Sequence, residues 1–178
     1  MLRRSSARLS CGCWTSRASA YHAGCFPFPA VSETVIEPAA DANDLNRFLV
    51  AQADTYADAL AEVRAGRKLT HWMWFVFPQL RGLGSSDKAT FYGLDGVDEA
   101  GRYLEHPVLG ARLREICAAA AAVEGAAATE IFGEPDDVKL RSCATLFARV
   151  ADDGAVFDAV LARFFGSEVC AKTAEKFS

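Results

Sequence analysis

From residue 45 onward, apolar side chains recur along this chain at the three- and four-residue spacing of an amphipathic helix. Leu45, Phe48, Leu49, Tyr56, Leu60 and Val63 form the first stripe. It predicts one helix, entered at an Asn43 or Asp44 cap and closed by Gly66. A dense apolar segment, His71-Trp72-Met73-Trp74-Phe75-Val76-Phe77-Pro78-Gln79, comes next. It is too short for its period to separate helix from strand, so its helical neighbours decide for helix, and Pro78 closes it. A turn over Gln79–Ser86 leads into a short helix ending near Tyr92.

Further helices are expected over Val97–Leu104, from Pro107 through Leu109, Leu113 and Ile116 to Val123, from Pro135 to Val150, and over Ala155–Phe165. Gly125 and Gly166 are stop signals, and Pro107 suits the first position of a helix. His106 before it reads as a cap. No β-branched alternation and no fixed repeat is visible. The pattern predicts an all-α fold, a single compact domain of about six helices over residues 41–178, behind a disordered leader and linker over 1–40.

Charge sharpens the division. Residues 1–32 hold Arg3, Arg4, Arg8 and Arg17 and no acid, which leaves 15 basic against 23 acidic residues beyond them, a net of −8. A domain so acidic argues against a nucleic-acid surface, which needs a basic footprint. No apolar run reaches the roughly 18 residues of a membrane helix. A cytoplasmic protein is expected. The Arg- and Ser-rich leader also matches an organellar transit peptide, with a plain extension or a misassigned start as the simpler readings. Cys11, Cys13, His22 and Cys25 form a Cys-x-Cys…His-x-x-Cys set too tightly spaced for an ordinary zinc site, so no metal and no cofactor is expected. Cys117 and Cys143, among apolar neighbours, read as small buried hydrophobes.

Chemistry has few places to sit. On a wheel of about 100° per residue, Lys139, Arg141, Ser142, Thr145 and Arg149 fall on one polar arc that holds no acid. Such a face could bind an anion, Lys as a point charge, Arg as a fork, the hydroxyls orienting. Alternatively, it is a solvated face paired with acids on a neighbouring helix. The loop Arg81-Gly82-Leu83-Gly84-Ser85-Ser86 before a helix could offer backbone N–H groups to an anion. It lacks the third glycine of a dinucleotide fingerprint and the Lys of a P-loop, so a bare turn competes. His71 is the candidate acid/base group, Trp72 or Trp74 the stacking surface, and Gln79 an amide reader. The plain alternatives are a structural histidine and turn and core residues. No nucleophile elbow, Cys–His signature or His-Glu-x-x-His motif is present.

At these residues the chain resembles a bacterial family of uncharacterised all-α proteins, domain of unknown function 1810, sometimes labelled calpastatin-like. The resemblance rests on the segment from His71 to Gln79 with Gly82-Leu83-Gly84, on Tyr103-Leu104-x-His106-Pro107-x-Leu109-Gly110, and on Lys139-Leu140-Arg141-Ser142-x-x-Thr145-Leu146-Phe147. It covers roughly residues 44–173 and implies a helical cytoplasmic domain with no established activity, hence no catalytic residues to carry over. Cys143, Ala144 and Cys170 depart from its usual serine, methionine and aspartate.

From the residues alone, the leading expectation is a site for an anionic, nucleotide-like or phosphorylated small molecule. It would lie between the tryptophan segment, the Gly82–Ser86 loop and the helix starting near Pro135. The rivals are a protein-interaction module using the tryptophan-rich segment, and a hydrolase with His71 as general base.

Overall fold

Among the residues described by the computed structural model, 45–177, every regular element is helical. The leader, its candidate zinc ligands, the proline linker and the Asn43/Asp44 cap lie outside the described residues. Ten helices follow in order: α1 Asn46–Ala53, α2 Tyr56–Arg64, α3 Met73–Val76, α4 Asp87–Phe91, α5 Val97–Glu105, α6 Leu109–Ala121, α7 Ala128–Phe132, α8 Asp136–Val150, α9 Ala155–Phe165 and α10 Ala171–Ala174. A 3-10 turn over Glu175–Phe177 ends the described chain.

The long helices make the frame. α9 lies against both α6 and α8, while α5 packs on α6 and α8. Leu113, Ile116, Cys117, Leu140, Cys143, Leu146, Phe147, Phe157 and Val160 are buried between them. Phe147 meets Phe157 at 5.6 Å and Tyr103 at 5.6 Å between ring centroids, and Tyr103 meets Phe48 edge-on at 5.0 Å. Burial drives the thiols of Cys117 and Cys143 well above their ordinary range, so both behave as apolar groups.

The single first helix expected from the stripe is two. It breaks at Asp54–Thr55, where the Thr55 hydroxyl donates to the Ala51 carbonyl at 2.5 Å. The halves serve different neighbours, α1 packing on α3 and α2 on α6. Gly66 ends α2 at φ 68°, a left-handed conformation that costs glycine little, as the sequence implied. His106 caps α6 as expected, its Nδ1 accepting from the N–H groups of Val108 and Leu109 at 3.2 and 3.3 Å.

Two helices were not legible. α7 fills the gap between Gly125 and Pro135, its start tied by Glu130 Oε2 accepting from the Ala127 N–H at 2.6 Å. α10 and the residues before it lie across α8. Among the described residues the one extended pairing is an isolated parallel bridge between Leu80 and Leu94, which closes the loop between α3 and α5.

Candidate functional site

The tryptophan segment supplies one turn of helix, and its two indoles take opposite roles. Trp72 is 1% exposed and packs against Phe77 and Phe132. Its Nε1 donates to Glu62 Oε2 at 2.8 Å. No face is left for a ligand, so its expected stacking role gives way to a core role. Buried indole needs one polar partner, and Glu62 is that partner. Glu62 also accepts from the N–H groups of Leu69 and Thr70 and from the Thr70 hydroxyl. Partial burial alone would raise its carboxyl, but these donors outweigh it and hold it below its ordinary value.

Trp74 is only half-buried. Lys139 Nζ stands 4.6 Å and Lys88 Nζ 5.0 Å from its ring centroid, within cation–π range. Lys139 comes from the first turns of α8 and Lys88 from α4. The Lys139 ammonium also meets Asp136 Oδ1 at 2.7 Å, and Lys68 Nζ takes the other carboxylate oxygen at 2.8 Å. Lys68 lies in addition 5.4 Å from the Trp72 ring. Partial burial pushes Asp136 up, but Lys139 and Lys68 more than offset it, and the carboxyl sits below its ordinary value. Two ammoniums thus share one carboxylate beside a half-open indole, with the exposed Lys88 adding a third positive charge.

The polar arc of α8 does not act as one surface. At about 100° per residue Lys139 falls between Leu146 and Val150, apart from Arg141, Thr145 and Ser142, and the structure sends Lys139 and Arg141 to different neighbours. Arg141 pairs with Glu168 at 2.8 Å and lies over Phe165 at 5.6 Å. Between them Ser142 and Thr145 are 3% and 5% exposed, not solvated. The segment leading into α10 covers them: the Cys170 N–H donates to Thr145 Oγ1 at 2.9 Å and Ser142 Oγ reaches Cys170 Sγ at 3.3 Å. Each hydroxyl also returns a bond to its own helix, at the Val138 and Arg141 carbonyls. Arg141, Ser142 and Thr145 therefore hold the C-terminal segment, and of these four α8 residues Lys139 faces Trp74.

The glycine loop likewise divides. Arg81 pairs with Asp95 and donates to the Gly93 carbonyl at 3.1 Å. With Gly82, Leu94, Gly96 and Lys176 it lines an open depression of about 580 Å³. Gly84 packs against Ala89, where a Cβ would stand 2.9 Å from the alanine methyl. Ser85 is exposed, and the cap of α4 is Ser86, whose Oγ accepts from the Ala89 N–H. Gln79 is half-buried and contributes its carbonyl to the Leu94 N–H. His71 is exposed. Lys68, Lys88 and Asp136 were missed by the sequence reading. Lys68 and Lys88 are lone cations on separate loops and helices, and only the fold gathers them. Among the described residues no cluster of His, Cys, Asp or Glu could hold a metal.

Fold and site define an all-α domain with a cation-flanked aromatic surface. The chain belongs to the family described as protein of unknown function DUF1810, whose pattern matches residues 42–177. It is similar to the conserved hypothetical protein Rv1873 from Mycobacterium tuberculosis, known from a crystal structure at 1.38 Å. The two share 50% identity and a TM-score of 0.74 over 76% of this chain and 96% of that one. No curated protein matches the chain. Among the described residues no helix is long and apolar enough to cross a membrane.

Proposed function

We propose that the protein binds a small anionic molecule, nucleotide-like or phosphorylated, at the open side of Trp74. One observation carries this reading: Lys139 and Lys88 flank that ring at 4.6 and 5.0 Å while Lys139 and Lys68 divide a single carboxylate, Asp136. Positive charge exceeds negative among these four residues, within a chain whose residues beyond 32 carry a net of −8. A phosphate or carboxylate suits ammoniums gathered around one ring, and a planar group suits the indole. Lys139 and Lys88 take the charge, Trp74 stacks, and Asp136 holds Lys139 and Lys68 in place. His71, exposed next to Trp72, is the available acid/base group if a bond is broken. The free thiols of Cys117, Cys143 and Cys170 suit a reducing compartment such as the cytoplasm.

The test is a thermal-shift screen against nucleotides, sugar phosphates and ADP-ribose derivatives, followed by calorimetric titration of hits. The expected result is a raised midpoint with at least one anion. Lys88→Ala and Trp74→Leu should then each weaken binding about tenfold, or about 1.4 kcal/mol. No shift with any anion, or hits untouched by both substitutions, would overturn the reading.

A further inference from the structure

The segment that crosses α8 does not close onto the bundle along its whole length. Between it, α8 and α9 lies a cavity of about 350 Å³. α8 lends it Thr145 and Arg149, one turn apart on one face. α9 lends Asp158 and Leu161, again one turn apart, and the crossing segment lends Val169 and Ala174. Thr145 is already engaged. Its hydroxyl donates to the Arg141 carbonyl and accepts from the Cys170 N–H, which ties the segment to the cavity wall. Arg149 and Asp158 are the opposite case. Both are exposed, and among the described residues neither side chain has a hydrogen bond or an ion pair, not even with the other. One cation and one anion thus line a single cavity without neutralising each other. The wall they share is apolar at Leu161, which is buried, and at Val169, which keeps 51% of its surface in solvent.

The two charges select the ligand. A guanidinium takes a carboxylate through two parallel N–H donors, and a carboxylate takes an ammonium. A phosphate or a plain carboxylate would satisfy Arg149 but stand against Asp158, and a plain amine would do the reverse. The volume lies at the small end of ligand sites, so few atoms fit. We infer that this cavity is a binding site for a small zwitterion with an apolar side chain, of the free aliphatic amino acid class. The ligand's carboxylate sits on the Arg149 guanidinium and its ammonium on the Asp158 carboxylate. Its side chain covers Leu161 and Val169, where apolar surface leaves water. The bound molecule bridges α8, α9 and the crossing segment. No lining residue belongs to the Trp74 surface, so this inference stands apart from the anion reading there.

The experiment titrates the full-length, isotope-labelled chain with L-leucine and follows backbone amide shifts by magnetic resonance. Saturating shifts should gather at residues 145–149, 158–161 and 168–174. Glycine, which lacks the side chain, should bind at least about tenfold more weakly, and so should isoamylamine and N-acetyl-leucine, each of which lacks one of the two charges. Arg149→Ala and Asp158→Asn alter exposed side chains, and each should weaken leucine about tenfold by removing one charge-assisted contact. Neither change should touch an anion bound at Trp74. Shifts that are absent, fail to saturate or fall elsewhere would overturn the inference. So would isoamylamine or N-acetyl-leucine binding as well as leucine, or leucine binding that ignores both substitutions.

Discussion

Trp72 and Glu62 are joined by a 2.8 Å hydrogen bond from the indole Nε1 to the carboxylate, and that bond anchors the whole 66–72 connection. The same carboxylate gathers the N–H groups of Leu69 and Thr70 and the Thr70 hydroxyl, and with the Lys68 N–H bond to the Ile131 carbonyl at 2.7 Å it fixes the loop that carries Lys68 toward Asp136. Glu62→Ala should lower stability by about 1–3 kcal/mol, the cost of leaving a buried donor unpaired. Urea titration of the variant tests this. A midpoint equal to wild type would mean that water replaces the carboxylate without loss.

Arg47 and Glu99 form an ion pair at 2.8 Å with side chains only 3% and 1% exposed. Glu99 Oε2 also accepts from the Asp95 N–H at 2.6 Å, and Arg47 donates to the Gly93 carbonyl. Glu99→Leu should cost about 3–5 kcal/mol because it strands a buried guanidinium. Calorimetric melting is the measurement.

Gly110 lies on α6 where the chain turns out of α5, and a Cβ there would run into the Leu104 carbonyl. Backbone cannot yield as a flexible side chain can. Gly110→Ala, usually favourable inside a helix, should here destabilise by about 1–3 kcal/mol. A neutral or stabilising result would show that the α5–α6 turn can open.

Glu62 and Asp136 both hold their carboxyls below the ordinary values. A group depressed on folding contributes stability above its unfolded pKa and loses it as pH falls through the folded pKa. Stability from these groups should therefore be level near neutrality and fall below about pH 4. In Asp136→Asn the acid limb should be shallower. Denaturant midpoints measured across acid pH check the sign.

Arg141→Ala should leave anion binding at Trp74 intact, because Arg141 faces Glu168 and Phe165, while Lys139→Ala should weaken it. Parallel titrations of the two variants separate the two residues of α8. Equal losses would mean that the two act together after all.

Much of the frame could be read from periodicity. The stripes over α5, α6, α8 and α9 are long, and their stops at Gly125 and Gly166 are local signals. The break at Thr55 could not be read, because it answers to α1 and α2 choosing different partners. α10 could not be read either, since its four residues are fixed by α8 and not by their own pattern. At about 100° per residue Arg141, Thr145 and Ser142 share one arc of α8, while Lys139 falls apart from them, between Leu146 and Val150. The wheel could not say that a returning segment would bury Ser142 and Thr145 or that Lys139 and Arg141 would meet different neighbours. Trp72 and Trp74 are equivalent in sequence terms, and only the location of Glu62 distinguishes the buried indole from the open one.

The segment across α8 has a kinetic corollary. It is attached by hydrogen bonds at Thr145 and Ser142, by Arg141 donating to the Glu168 carbonyl at 3.0 Å, by the buried Thr173, and by an Arg141–Glu168 pair whose acid is largely in solvent. Such a strap can lift while the bundle stays assembled. Amides of residues 168–174 should exchange with deuterium well before those of α6 and α9, and a protease that clips early should cut here.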